Sequence, residues 1–198
     1  MVIDIMRIWM RRRIDEKDKK IISLLSRDPD MPQEEIARKV GLSQPSVALR
    51  IKKLREAGFI DKLIGMNPKK MGVVMAKVDV ETDDSNALLE NFKECPYFLF
   101  GFVVSGKYNV SMIFFGDDIS TLETIVNRHI RTLDFVKDVE FNVIIRSEGQ
   151  IIAPIKVGER EDFPPCNPKV LYTCKECRDH GRGCLGCPIT GDYLGEIF

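Results

Sequence analysis

The sequence predicts an α+β chain: an N-terminal winged helix-turn-helix, a ferredoxin-like βαββαβ sandwich and a small Cys-rich C-terminal appendage. Three observations predict it. Two amphipathic stretches within Glu34–Ile60 meet through a Gly41-Leu42-Ser43 turn. The apolar period changes from 3.6 to 2 after Val73. Five of the six cysteines crowd into Cys166–Cys187. The expected divisions are an N-terminal extension 1–13, a DNA-binding domain 14–66, an effector and dimerisation sandwich 67–152 and a metal-binding tail 153–198.

The opening MVIDIMRIWMRRR lacks the basic-then-apolar order and cleavage site of a signal peptide. Its Trp9 and Arg11–Arg13 read as a frayed terminus, with a DNA-contacting arm as the alternative. Asp15 can cap a helix running to about Ser26 with Ile21, Ile22 and Leu25 inward, and Arg27-Asp28-Pro29-Asp30 breaks it. Ile36, Ala37 and Val40 share one face of the next helix, which Gly41 stops by supplying a positive φ. Ser43 is a natural N-cap for the third helix and Pro45 suits its first turn.

In that third helix Val47, Ile51 and Leu54 recur at i, i+4 and i+7 and must point inward. The opposite face carries Pro45, Ser46, Leu49, Lys52 and Lys53, with Gln44 at the N-terminal end and Arg50 at the margin. Small, amide and cationic groups suit the base edges and phosphates of double-stranded DNA, and Leu49 suits a thymine methyl. Arg50, Lys52, Lys53 and Arg55 are read as phosphate contacts. A solvated helix in an unrelated bundle is the alternative. After Gly58, Phe59–Ile64 reads as a strand serving as a short wing, and Asn67–Lys70 as a linker.

Val74, Ala76, Val78 and Val80 alternate with Met75, Lys77, Asp79 and Glu81, as a strand with one buried face requires. A short helix at Ser85–Lys93 follows, then strands at Tyr97–Ser105 and Asn109–Phe115 around a Gly106-Lys107-Tyr108 turn. A helix at Ser120–Arg131 and a strand at Val136–Arg146 complete the βαββαβ order. Tyr97–Ser105 is apolar at both parities, with Phe98, Phe100, Phe102 and Val104 expected on one side and Leu99 and Val103 on the other. Both faces therefore need cover. A second copy of the chain is the expected cover, giving a homodimer.

The net charge of zero conceals segregation. Met1–Gly72 holds 17 Lys/Arg against 10 Asp/Glu, whereas Val73–Gln150 holds 7 against 13. A basic front and an acidic middle fit a nucleic-acid reader followed by a domain that avoids phosphates. No apolar run approaches the roughly 18 residues of a membrane span, so a cytoplasmic protein with no membrane partner is expected.

The tail cysteines Cys166, Cys174, Cys177, Cys184 and Cys187 are spaced C-x7-C-x2-C-x6-C-x2-C. Two CxxC knuckles can point four thiolates at one ion, so Cys174, Cys177, Cys184 and Cys187 form the candidate site, with Cys166 and His180 as additional or substitute ligands. Tetrahedral sulfur suits zinc. Cys187-Pro188 resembles a ferredoxin ending and keeps a [4Fe–4S] cluster open; redox thiols or disulfides are the third reading. Cys95 stands alone as a buried small hydrophobe. His129 and His180 are too far apart in sequence to suggest a catalytic pair.

With these motifs in view, Ile14–Ile152 resembles the Lrp/AsnC (feast/famine) transcriptional regulators. The resemblance rests on Ile-Asp-x-x-Asp-x-x-Ile-Ile at Ile14–Ile22, Glu-Ile-Ala-x-x-Val-Gly-Leu-Ser at Glu35–Ser43 and Val-x-x-Arg-Ile-x-x-Leu at Val47–Leu54. Gly58, Ile60 and Asn67-Pro68 match as well. It implies a winged helix-turn-helix followed by a small-molecule-sensing domain, in dimers that assemble further, answering commonly to amino acids. Effector binding in such proteins uses the turn that reads Gly106-Lys107-Tyr108-Asn109 here, making Gly106, Tyr108 and Asn109 the effector candidates. Both acidic positions of the usual Gly-Asp-Tyr-Asp are altered, and Phe141 stands where a threonine is common. The competing class is an enzyme, since some relatives of the architecture resemble tetrapyrrole decarboxylases. Tyr97–Ser105 contains none of the Arg, Lys or His side chains that would hold propionates there.

Overall fold

The computed structural model describes residues 14–149, 151–154, 156 and 173–196. The Trp9 and Arg11–Arg13 arm and Cys166 lie outside the described residues. The chain divides into two compact units, Met1–Leu63 and Ile64–Phe198.

The first unit is built on three helices, α1 (Glu16–Arg27), α2 (Gln33–Val40) and α3 (Gln44–Glu56). Asp15 starts α1 through a reciprocal capping box: its carboxylate accepts from Asp18 N at 2.8 Å and Asp18 accepts from Asp15 N at 3.2 Å. Gly41 ends α2 at φ 68°, a conformation that a side chain would strain. The Lys17 ammonium donates to the Val40 carbonyl left open at that end. Ile21, Ile36, Val40, Val47, Ile51 and Leu54 form the core where the three apolar stripes meet. Ser43 caps α3 by position alone, because its hydroxyl bonds the Ser46 hydroxyl at 2.8 Å and no backbone N–H.

The expected strand at Phe59–Ile64 does not form. Phe59 and Ile60 instead pack on the helical core, and Lys62 pairs with Asp30 at 2.5 Å. The ladder comes one step later, where β1 (Gly65–Met66) pairs with β6 (Ala153–Pro154). A Cβ on Gly65 would sit 2.2 Å from the Ala153 carbonyl oxygen, so only glycine permits this approach. The expected linker at Asn67–Lys70 is partly helical as α4 (Pro68–Met71), with Asn67 at its N-cap position.

In the second unit β2 (Val74–Thr82), β3 (Phe98–Val103), β4 (Val110–Gly116) and β5 (Val136–Val143) form an antiparallel sheet in the order β3-β4-β2-β5. Helices α5 (Ser85–Phe92) and α6 (Ile119–His129) cover one face. Val78, Val80, Leu88, Phe92, Phe114 and Leu122 lie in the core between them. Phe92 meets Phe114 edge to face with centroids 5.4 Å apart.

Strand β3 departs from simple alternation. Its register with β4 shifts between Phe98 and Phe100, so Phe98 opposes Phe114 on the helical side while Phe100 and Phe102 oppose Ile113 and Ser111 on the other. A bulge adds one residue and inverts the parity beyond it. Phe98 and Phe100, expected on one side, are therefore on opposite faces. Phe100 and Phe102 are 41 % and 53 % exposed, with their rings in contact. At the other end of that face Met75, Leu99, Phe115 and Ala153 form a separate buried cluster. Among the described residues no helix is long and apolar enough to cross a membrane.

Candidate nucleic-acid interface and cysteine site

The inward stripe of α3 is buried as its spacing requires, and Gln44, Pro45, Ser46, Leu49, Lys52 and Lys53 are exposed. Leu49 is 53 % exposed, a large apolar group facing away from the core. Gln44 touches Gln33 at 3.4 Å, and Lys52 lies 3.9 Å from Glu56, a contact too exposed to immobilise it.

Arg50 has a different occupation from the phosphate contact expected of it. Its guanidinium donates to Asp18 at 2.6 Å and to Asp15 at 2.7 Å, joining α3 to the start of α1. Its i, i+3 spacing from Val47 sets it at the edge of the buried stripe, and the nearby carboxylates turn it inward. The Asp18 amide, then Arg50, holds the Asp15 carboxyl below its ordinary value of 3.8. Asp15, Asp18 and Arg50 are all in the sequence signatures, but pairing residues 32 positions apart required the fold.

At the β3–β4 turn Gly106 takes φ 121°. Tyr108 donates to Asp138 at 2.9 Å, and Lys107 reaches the same carboxylate at 3.0 Å. The Asn109 amide accepts from Thr82 N and donates to Thr82 O, at 2.9 and 2.8 Å. Thr82 lies where β2 and β5 slip register, so Asn109 supplies the hydrogen bonds lost from the ladder there. Phe141 opposes Val78 and packs against the core.

The tail cysteines come together. Cys174, Cys177, Cys184 and Cys187 line one cavity of about 50 Å³, whose wall also includes His180 and, from the sandwich, Cys95 and His129. Among the described residues no three His, Cys, Asp or Glu side chains are drawn into a metal-ligand set. Cys184 Sγ accepts from Gly186 N at 3.4 Å, and Cys174 Sγ receives the Thr190 hydroxyl at 3.6 Å. Burial pushes the Cys184 thiol up to about 11 and raises that of Cys187 too. His180 Nε2 lies 2.6 Å from the Asp192 carbonyl oxygen, which can only accept, so Nε2 carries a proton.

The tail docks on α6 through its own backbone. Ser120 and Thr124 donate to the Gly183 carbonyl at 2.9 and 3.0 Å, and Leu185 N donates to Thr121 Oγ1 at 3.1 Å. Tyr97 donates to the Gly186 carbonyl at 2.6 Å. Arg128 holds Asp179 at 2.7 Å. Sequence reasoning missed this surface, although Ser120, Thr124 and Arg128 recur at i, i+4 and i+8 as a polar stripe beside the inward Leu122, Ile125 and Val126. Cys95 is buried, as expected of a small hydrophobe, and also forms part of the cavity wall.

Residues 14–61 match a family model described as winged helix-turn-helix DNA-binding. The chain is 34% identical over 130 residues to the HTH-type transcriptional regulator LrpA of Pyrococcus horikoshii, covering 64% of this chain and 92% of that protein. Its fold is similar to Escherichia coli AsnC, with TM-score 0.62 and 20% identity over 73% of this chain and 99% of that one. A Neisseria meningitidis transcriptional regulator in complex with L-Met has TM-score 0.61 and 19% identity, over 72% and 97% of the two chains. The decarboxylase alternative finds no support among these proteins.

Removing the Arg50 partner tests the clamp. Asp18→Ala should lower the unfolding free energy of the helical unit by about 1–3 kcal/mol, read from its urea transition. The Asp15 contribution is sensitive to acid. Its folded pKa is depressed, so the stabilisation is complete above the ordinary 3.8 and should fade as pH falls below it.

Proposed function

The chain belongs to the Lrp/AsnC family of helix-turn-helix, DNA-binding transcriptional regulators, and from that premise we propose a sequence-specific reader of double-stranded DNA, working as a homodimer or a larger assembly, with a metal site in its cysteine tail. The observation that carries the DNA reading is the outward face of α3. Gln44, Pro45, Ser46 and Leu49 are exposed at its N-terminal half, and Lys52 and Lys53 follow at its C-terminal half. A recognition helix reads bases with its N-terminal residues while flanking cations grip phosphates. Arg50 is left out of the phosphate set and is assigned to holding α3 on α1.

The apolar patch at Phe100 and Phe102 supports sheet-to-sheet pairing of two copies, since β3 is an edge strand with large side chains left in water. The tail reading rests on donor chemistry. Four thiols on one small cavity suit a soft cation, which would favour their thiolates against the burial that raises them. Cys174, Cys184 and Cys187 would hold it with a fourth ligand, for which Cys177 and His180 are the candidates within the tail. Tetrahedral sulfur suits a single zinc ion, with a [4Fe–4S] cluster as the alternative. The ion would supply folding energy to a tail whose core, among the described residues, is Cys174, Cys187 and Ile189. In a reducing cytoplasm, metal occupancy rather than a disulfide would be its resting chemistry.

A second reading of the regulatory signal is a small molecule at Gly106, Tyr108 and Asn109. The L-Met complex of the neisserial regulator favours it. The engagement of Tyr108 with Asp138 and of Asn109 with Thr82 weighs against it.

Three measurements test the proposal. In gel shifts on a selected operator, Lys52→Ala and Lys53→Ala should each weaken binding across sequences and reduce the salt slope by about 1. Unchanged slopes would remove these lysines from the interface, and L-Met added to the same gels tests the second reading. Light scattering should find Phe102→Glu shifted from dimer toward monomer; an unshifted mass would sink the sheet interface. Elemental analysis of anaerobically purified protein should find one zinc per chain in colourless solution, whereas a brown protein with iron and sulfide would replace zinc with the cluster.

A further inference from the structure

The sandwich contributes its own side chain to the tail cavity. His129, the last residue of α6, lines it together with the cysteines. Its Nδ1 is enclosed and has no hydrogen-bond partner among the described residues. Enclosed ring nitrogens are ordinarily satisfied, so an unpartnered one on a residue that lines a cavity of soft donors points to a ligand there.

We propose that the tail metal site is a joint site in which His129 Nδ1 coordinates the ion together with Cys174, Cys184 and Cys187, fastening the tail to α6 through the metal. This rests on the reading that the tail binds a metal. Seven donors, counting Cys95 and His180, line a space where a tetrahedral ion takes four. Cys174 and Cys184 already receive hydrogen bonds at sulfur, as ligating thiolates do. Cys187 is 6 % exposed and completes the buried side. Cys177 is partly buried, as Cys184 is, but among the described residues its sulfur receives no hydrogen bond, so it is the thiol that His129 displaces from the set.

The docking contacts hold the ligand-bearing segments on the wall of one cavity, and metal binding would draw together side chains that are not grouped as a ligand set without it. Thr121, Ser120 and Thr124 hold the backbone on both sides of Cys184, and Tyr97 holds Gly186 just before Cys187. Arg128, next to His129, holds Asp179 between the knuckles. Lys156 fixes the neighbouring wall by donating to the carbonyls of Lys93, Cys95 and Phe98 at 2.9, 3.3 and 3.0 Å. The ion closes a contact that these hydrogen bonds have already aligned. Metal loss would therefore weaken the seat of the tail on α6, giving the sandwich a way to register metal occupancy.

Cobalt(II) titration of the reduced, metal-stripped full chain tests this, because its thiolate charge-transfer band grows with each Co–S bond. Cys177→Ser should keep the affinity and the band of the parent chain. Cys184→Ser should lose about one third of the band, one of three thiolate bonds of a four-ligand ion. His129→Ala should weaken Co(II) binding at least about tenfold. His129→Cys, which retains a ligand, should restore affinity and gain band intensity, separating lost ligation from misfolding. Unchanged affinity in His129→Ala, with loss of the band in Cys177→Ser, would overturn the joint site and leave a four-cysteine one. No Co(II) binding by the parent chain would instead remove the metal reading itself.

Discussion

Helix α6 serves two layers at once, and the second unit depends on its doing both. Leu122, Ile125 and Val126 are buried against the sheet. On an adjoining side Ser120, Thr121 and Thr124 bond the tail backbone. A helix has room for this because residues four apart share a stripe while the apolar stripe occupies only part of its circumference. The described part of the tail buries a small apolar cluster, Cys174, Cys187 and Ile189, and hydrogen bonds from α6 and Tyr97 hold it in place. That is why the cysteines lie against the sandwich.

Charge is likewise divided between holding the structure and facing outward. Arg50 is turned inward by Asp15 and Asp18 and joins two helices, whereas Lys52 and Lys53, two and three residues later, stand in solvent. The separation is geometric: at 100° per residue a shift of two or three positions moves a side chain from the edge of the core to its opposite face. A guanidinium can bridge two carboxylates in a fixed fork, which suits the inward position better than an ammonium would. Helix α3 is thereby held by its own sequence while its outer face stays in solvent.

Much of this was legible in the residues. The Gly41 stop, the Asp15 cap and the Val47-Ile51-Leu54 stripe follow from local rules, and each is found as its spacing requires. The βαββαβ order was readable from changes of period. Phe59–Ile64 shows the limit: an apolar and charged run can be a strand, but a strand also needs a partner edge, which was found only for Gly65–Met66. The β3 bulge shows it again, because one added residue inverts a parity that sequence alternation alone assigns.

The sequence by itself determined the three helices of the first unit, the βαββαβ order of the second, the outward chemistry of α3 and the presence of paired cysteine knuckles. These depend on neighbours within one or two turns of chain. Only the tertiary structure decided that Arg50 faces Asp18, that Phe98 and Phe100 part company, and that His129 and Cys95 share a cavity with the tail. Each of those depends on residues far apart in sequence, whose meeting is set by burial of the whole core rather than by any local preference.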